Sequence, residues 1–171
     1  MNHTLKYILL TAVGWTFSSC SISYNFSGAS TIDYSKTSSI SIKDFPNIAP
    51  LAYSPLSQVF TETLKDKYTR QTKLQILRDD GDLDLEGEIT GYNFTSEAVK
   101  ADDYASQTRM TITIRVRYTN KAQPEKDFEQ SFSAYQTFSN ESTIDQVQDA
   151  LGKLIIEEIV DQIYNATVAD W

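Results

Sequence analysis

Polar and apolar positions alternate most regularly at residues 110–118, where Met110, Ile112, Ile114, Val116 and Tyr118 interleave with Thr111, Thr113, Arg115 and Arg117. A period of two predicts a strand with one buried and one solvated face. Three other stretches read the same way. Ile40 and Ile42 alternate with Ser39, Ser41 and Lys43. Leu83, Leu85 and Ile89 alternate with Asp82, Asp84, Glu86 and Glu88, and the segment DFEQSFSAYQTF follows the NKAQPEK turn. KLQIL reads as a further strand, and Asp80-Gly81, between it and the acidic strand, is a two-residue turn signal. Antiparallel pairing of the last three strands predicts Glu88 opposite Arg115, and Arg117 between Glu86 and Glu129. Each such pair contributes about 0.2–1 kcal/mol.

Two segments carry a helical period. After Ser54 as N-cap and Pro55 at the first helical position, Leu56, Val59, Phe60 and Leu64 recur at helical spacing to about Thr69. Lys65, Lys67 and Arg70 crowd that helix's C-terminal half, where cations offset the helix dipole or bind an anion. Near the C-terminus, Ser142 with Asp145, or Thr143 with Gln146, makes a capping box. Ile144, Val147, Leu151, Leu154, Ile155, Ile159 and Ile163 then form an apolar stripe reaching about Val168. The order β-α-β-β-β-α predicts an α+β two-layer sandwich: a mainly antiparallel four-stranded sheet with both helices on one face and the other face open. Between the first strand and helix, three prolines in PNIAPLAYSP exclude regular structure.

The N-terminus changes the picture. Lys6 precedes an apolar run over residues 7–17, and the small residues Ser18 and Ser19 precede Cys20. This is the layout of a secretory signal. Eleven helical residues span about 16 Å against a bilayer core of about 30 Å. Ser18-Ser19-Cys20 is similar to a lipoprotein processing site, in which the cysteine becomes the first mature residue and carries lipid. Residues 1–19 are thus read as a signal peptide, 20–36 as a lipidated tether and 37–171 as one folded domain.

Charge and composition remove further options. The chain has 15 basic and 23 acidic residues and a net charge of −8. Losing residues 1–19 removes Lys6 and no acid, which takes it to −9. No nucleic-acid partner fits so acidic a domain. The one histidine, His3, lies in the signal, and Cys20 is the only cysteine. The mature domain therefore lacks the commonest acid–base group and the most reactive nucleophile. With no catalytic or nucleotide-binding motif, a non-enzymatic role is expected. The acids around Gly81 fail the EF-hand spacing, because Gly87 stands where the bidentate glutamate belongs. No metal and no cofactor beyond the lipid on Cys20 is expected.

Taken together, Cys20 followed by SYNFSGAS, IKDFPNIAPLAYSPLSQVFTETLKDK, GDLDLEGEITGY, TITIRVRYTN and PEKDFEQSFSAY resemble the LptE family of lipopolysaccharide-assembly lipoproteins. The resemblance implies a protein lipid-anchored on the periplasmic side of the outer membrane. It implies a plug and assembly aid inside the LptD β-barrel, with lipopolysaccharide as a candidate ligand. Phe45, Pro46, Asn47 and Pro50, in the stiffened loop, are the candidate partner contacts. Three other readings stay open: a lipoprotein subunit of another envelope complex, a periplasmic small-ligand binder, and a carboxylate hydrolase using Asp82, Asp84 or Glu86.

Overall fold

The computed structural model describes residues 32–51, 53–97 and 107–168. The expectations for residues 1–31, Cys20 among them, lie outside these. The strands are β1 (Ser39–Ile42), β2 (Gln75–Leu77), β3 (Leu83–Glu97), β4 (Gln107–Asn120) and β5 (Phe128–Ser139). The helices are α1 (Pro55–Gln71) and α2 (Ile144–Thr167). They form the expected α+β arrangement, with five strands in the sheet where four were expected.

β3, β4 and β5 are an antiparallel meander in the predicted register: Glu88 faces Arg115, Glu86 faces Arg117, and Arg117 faces Glu129. The register slips by one residue between Ile89 and Gly91, a β-bulge at Thr90. The inward set Leu83, Leu85, Ile89, Met110, Ile112, Ile114 and Val116 is buried to the last atom. It meets Leu56, Phe60 and Leu64 of α1 and Ile155, Ile156, Ile159 and Ile163 of α2 in one continuous core.

The other half of the sheet departs from expectation. Asp80-Gly81 does not turn a hairpin. The order is β2-β1-β3-β4-β5, and β1 is parallel to both neighbours. β2 is three residues long, and the chain from it to β3 steps across β1. Asp80 takes the left-handed conformation, φ 60°, that its turn chemistry favours. Gly81 then lies directly on the β1 backbone, where a Cβ would stand 2.4 Å from the Ser41 nitrogen. Alternation in SISI serves this arrangement. Ile40 and Ile42 enter the core, while Ser41 on the opposite face is also fully buried, under the crossing.

Helix ends differ in how they are closed. Ser54 is itself helical in backbone and makes no side-chain cap, so Pro55 alone marks the start of α1. α1 runs two residues past the expected end, to Gln71, where the Thr72 N–H and hydroxyl both donate to the Tyr68 carbonyl. At the start of α2 the Thr143–Gln146 alternative holds: the Gln146 side-chain oxygen accepts the Thr143 N–H at 3.0 Å. Tyr68 of α1, fully buried, shares a hydrogen bond with the Thr167 hydroxyl of α2. Burial pushes the Tyr68 hydroxyl far up and that of Tyr118 up to about 12. The predicted stripe on α2 is too wide. Ile155, Ile159 and Ile163 are core, whereas Ile144 is 40% and Leu154 50% exposed. Among the described residues no helix is long and apolar enough to cross a membrane.

Candidate functional site

The open sheet face carries a row of alternating charges built by strand register. Lys43, just past β1, lies 3.1 Å from Glu86 and 3.8 Å from Asp84. Glu86 also takes Arg117 at 2.8 Å, and Arg117 reaches Glu129 on β5 at 3.1 Å. Arg115 closes the row between Glu129, at 3.8 Å, and Glu88. Hydrogen bonding by the Lys43 ammonium, and next by Arg117, holds the Glu86 carboxyl below its usual range. These partners are half-exposed, so the row sets charge pattern more than it adds stability. It also occupies both arginines, which leaves neither as a ready phosphate clamp. Lys65, Lys67 and Arg70 are similarly engaged, by Asp44, Asp161 and Asp66.

Asp82 does something the sequence did not announce. One of its oxygens, Oδ2, accepts the Ser38 N–H at 2.8 Å, the Ser39 N–H at 3.0 Å and both serine hydroxyls. In return the Asp82 N–H donates to the Ser39 hydroxyl at 3.0 Å. The Ser38 N–H, followed by the Ser39 hydroxyl, holds the Asp82 carboxyl low. Asp82 is thus a clasp on the head of β1, not part of the solvated strand face. A carboxyl depressed on folding contributes stability that is complete above its unfolded pKa, near 3.8, and is lost as pH falls through the folded value. Unfolding free energy should therefore be flat across neutral pH and fall below about pH 4. Urea melts should show a shallower acid slope for Asp82→Asn, together with a loss of about 1.5–3 kcal/mol at pH 7.

The prolyl loop has an inner and an outer side. Phe45 is fully buried, its ring edge-to-face with Phe60 at 4.9 Å. It is a core residue, which corrects its expected role as a partner contact. The Thr61 hydroxyl accepts its N–H at 3.3 Å, and the Ser57 hydroxyl donates to its carbonyl at 2.5 Å. Beyond it, the Pro46 carbonyl and the Ile48 N–H both pair with Ile89. Asn47 works locally, its side chain accepting the Ala49 N–H at 3.0 Å. Pro46 and Pro50 face outward with Ile48, 55% exposed, and Leu51, 52% exposed. Neither aliphatic stood out in the sequence. Only the pairing to Ile89 shows which side of the loop turns out.

Two of the open readings find little here. Between the helices, Tyr53, Leu56, Val59, Gly152 and Ile156 line an apolar cleft of about 210 Å³, while the roomier hollows, up to about 830 Å³, are shallow and lined mainly by charged and polar side chains such as Glu62, Asp66, Lys67 and Arg70. Ligand pockets run from about 300 to 1,000 Å³. Among the proposed hydrolytic carboxylates, Asp82 and Glu86 are both held low by donors, whereas a general acid needs a raised pKa. Among the described residues, no cluster of histidine, cysteine or acidic side chains has the grouping of a metal site.

A family model for LptE, described as lipopolysaccharide-assembly, matches residues 37–167. No curated protein matches the chain. Solved structures with the same fold include a Xanthomonas campestris protein, with TM-score 0.51, 10% identity, and coverage of 74% of this chain and 81% of that one. A hypothetical protein from Chlamydia trachomatis gives TM-score 0.50, 11% identity, and coverage of 77% and 98%. At these identities the likeness is one of fold.

Proposed function

The chain belongs to the LptE family, and from that membership we propose that it is an outer-membrane lipoprotein seated in the lumen of an LptD-type β-barrel. There it plugs the barrel and supports its assembly for lipopolysaccharide delivery to the outer leaflet. The observation that carries this reading is the family match, which spans the whole folded domain. The surface agrees with it. A large barrel encloses a polar, water-filled lumen, and the ion-paired sheet face offers that wall a pattern of both signs. We assign lipid attachment to Cys20, with residues 1–19 removed and 20–36 as tether. Within the loop, the contacts with the barrel fall to Pro46, Ile48, Pro50 and Leu51, since Phe45 is spent on the core and Asn47 on the turn.

The test is a mild-detergent purification of the natively processed protein from its own outer membrane. A large β-barrel should co-purify in equal amount, and the intact mass should carry acyl chains on a fragment beginning at Cys20. Ile48→Glu with Leu51→Glu should cut barrel recovery about tenfold or more while the melting curve stays in place. A lipidated protein recovered with no barrel would overturn the reading.

A further inference from the structure

β5 is an edge strand of twelve residues in unbroken register with β4. Among the described residues no strand pairs with its outer side. Proteins usually blunt such an edge with shortness, charge, proline or a bulge. The opposite edge of this sheet is blunted in that way, since β2 has three residues and runs straight into Arg78 and Asp79. β5 has no proline, lysine or bulge, and its one charge, Glu129, turns to the sheet face to meet Arg117.

The sequence ahead of the described domain carries a pattern that matches this edge. In SISYNFS, residues 21–27, Ile22, Tyr24 and Phe26 alternate with Ser21, Ser23, Asn25 and Ser27. Neither charge nor proline occurs between Cys20 and Ile32. A period of two with one apolar side suits a strand added to a sheet that has one face covered and one open.

The described chain begins at the end of the sheet where β5 starts. Ile32 packs on the core, and burial, followed by the neighbouring Tyr34, pushes the Tyr164 hydroxyl up. From there the Tyr68 ring lies 5.5 Å from Tyr164, Tyr118 neighbours Tyr68, and Phe128 lies 5.3 Å from Tyr118. At ordinary ring-contact spacing this row is about 20 Å long. The chain from Phe26 to Ile32 also spans about 20 Å at full extension. Residues 21–26 therefore reach the start of β5, and they run toward that end of the sheet while β5 runs away from it.

We propose that residues 21–26 add to the open edge of β5 as a sixth strand, antiparallel to it, with Cys20 beside Ala134. Phe26 then lies by Phe128, Tyr24 by Gln130 and Ile22 by Phe132, on the core side of the sheet. Ser23 and Ser21 lie by Ser131 and Ser133 on the open face. A slip of one residue would turn all three apolar side chains to water, so the pattern selects this face. A strand from another protein competes poorly for the edge, because a short linker holds the chain's own segment at an effective concentration of about millimolar. The pairing itself needs neither lipid nor barrel. With acyl chains on Cys20, as assigned above, it holds the domain to the membrane by the flank of β5. The prolyl loop, at the far end of β1, then stands at a fixed distance from the lipid.

Hydrogen exchange of the natively processed full chain, free of other proteins in neutral detergent, tests this without a barrel. The amides of residues 21–26 and the outward amides of Phe128–Ser133 should be protected together. Tyr24→Pro should speed exchange about tenfold or more in both segments, while the rest of the sheet and the melting curve stay in place. Under mild oxidation Ser23→Cys should form a disulfide with Ser131→Cys, and not with Gln75→Cys on the β2 edge. Free exchange across residues 21–26, or a disulfide to Gln75→Cys instead, overturns the proposal. So does protection of residues 21–26 with β5 unmoved by Tyr24→Pro, which would mark a segment buried in the micelle.

Discussion

Phe45→Ala should lower the unfolding free energy by about 3–5 kcal/mol, a large share of the 5–15 kcal/mol that holds a typical domain. The ring is fully buried and edge-on to Phe60. It also fills a place the sheet leaves for it. Gly87 falls in the inward register of β3, and a Cβ there would stand 2.1 Å from the Arg115 backbone oxygen on β4 and 2.7 Å from the Phe45 ring. The glycine is the hole and the phenylalanine the knob. Truncation leaves a void that cannot collapse, because the flanking backbone is held to Ser57, Thr61 and Ile89. Urea melts of the full chain should show a lower midpoint at unchanged slope. Ile48→Glu, three residues on and exposed, should stay within about 0.5 kcal/mol of the parent. A Phe45→Ala loss as small as that would mean the ring is not in the core.

Gly81→Ala should cost about 3 kcal/mol. A methyl group at this position meets the Ser41 nitrogen at 2.4 Å, the Leu83 oxygen at 2.6 Å and the Ile40 carbonyl carbon at 2.7 Å. All three are backbone, so no rotamer change makes room. The crossing must rise off β1, which stretches the Gly81 N–H to Ser41 hydroxyl bond, 3.2 Å in the native chain, and drags Asp82 from its serines. Melts should report the loss, and hydrogen exchange should place the new opening at the β1 amides rather than in the β3–β5 meander. A neutral result would mean that the chain does not cross β1 here.

The meander was legible because its information is local. Strands that follow one another along the chain have few registers to choose from, and setting Arg115 and Arg117 against acids on both sides selects one. The pairing of β1 and β2 was not legible: SISI and KLQIL both read as strands, but neither carries anything that names its neighbours, and a turn signal between KLQIL and the acidic strand points to a hairpin that does not form. The Asp80-Gly81 signal was correct about backbone conformation and silent about where the chain goes next. An aromatic in a proline-rich loop reads as surface until Gly87, 42 positions away, is seen to leave a hole for it. The α2 stripe was over-read because seven apolar positions wrap farther round a helix than one sheet covers. The sequence pattern placed both Leu154 and Ile155 in the core, and only packing separates them.

β1 is the first strand of the described chain and the middle of a parallel trio. Tension applied ahead of Ser38 arrives at one end of a strand paired along both sides. Pulled lengthwise, β1 loads its bonds to β2 and β3 together, in shear, instead of peeling them one at a time. The Asp82 carboxylate, gripping Ser38 and Ser39 at the point of entry, takes the load first. The same four residues that hide in the sheet are thus the domain's mechanical clamp, and Asp82→Asn should lower the force at which a single tethered molecule gives way.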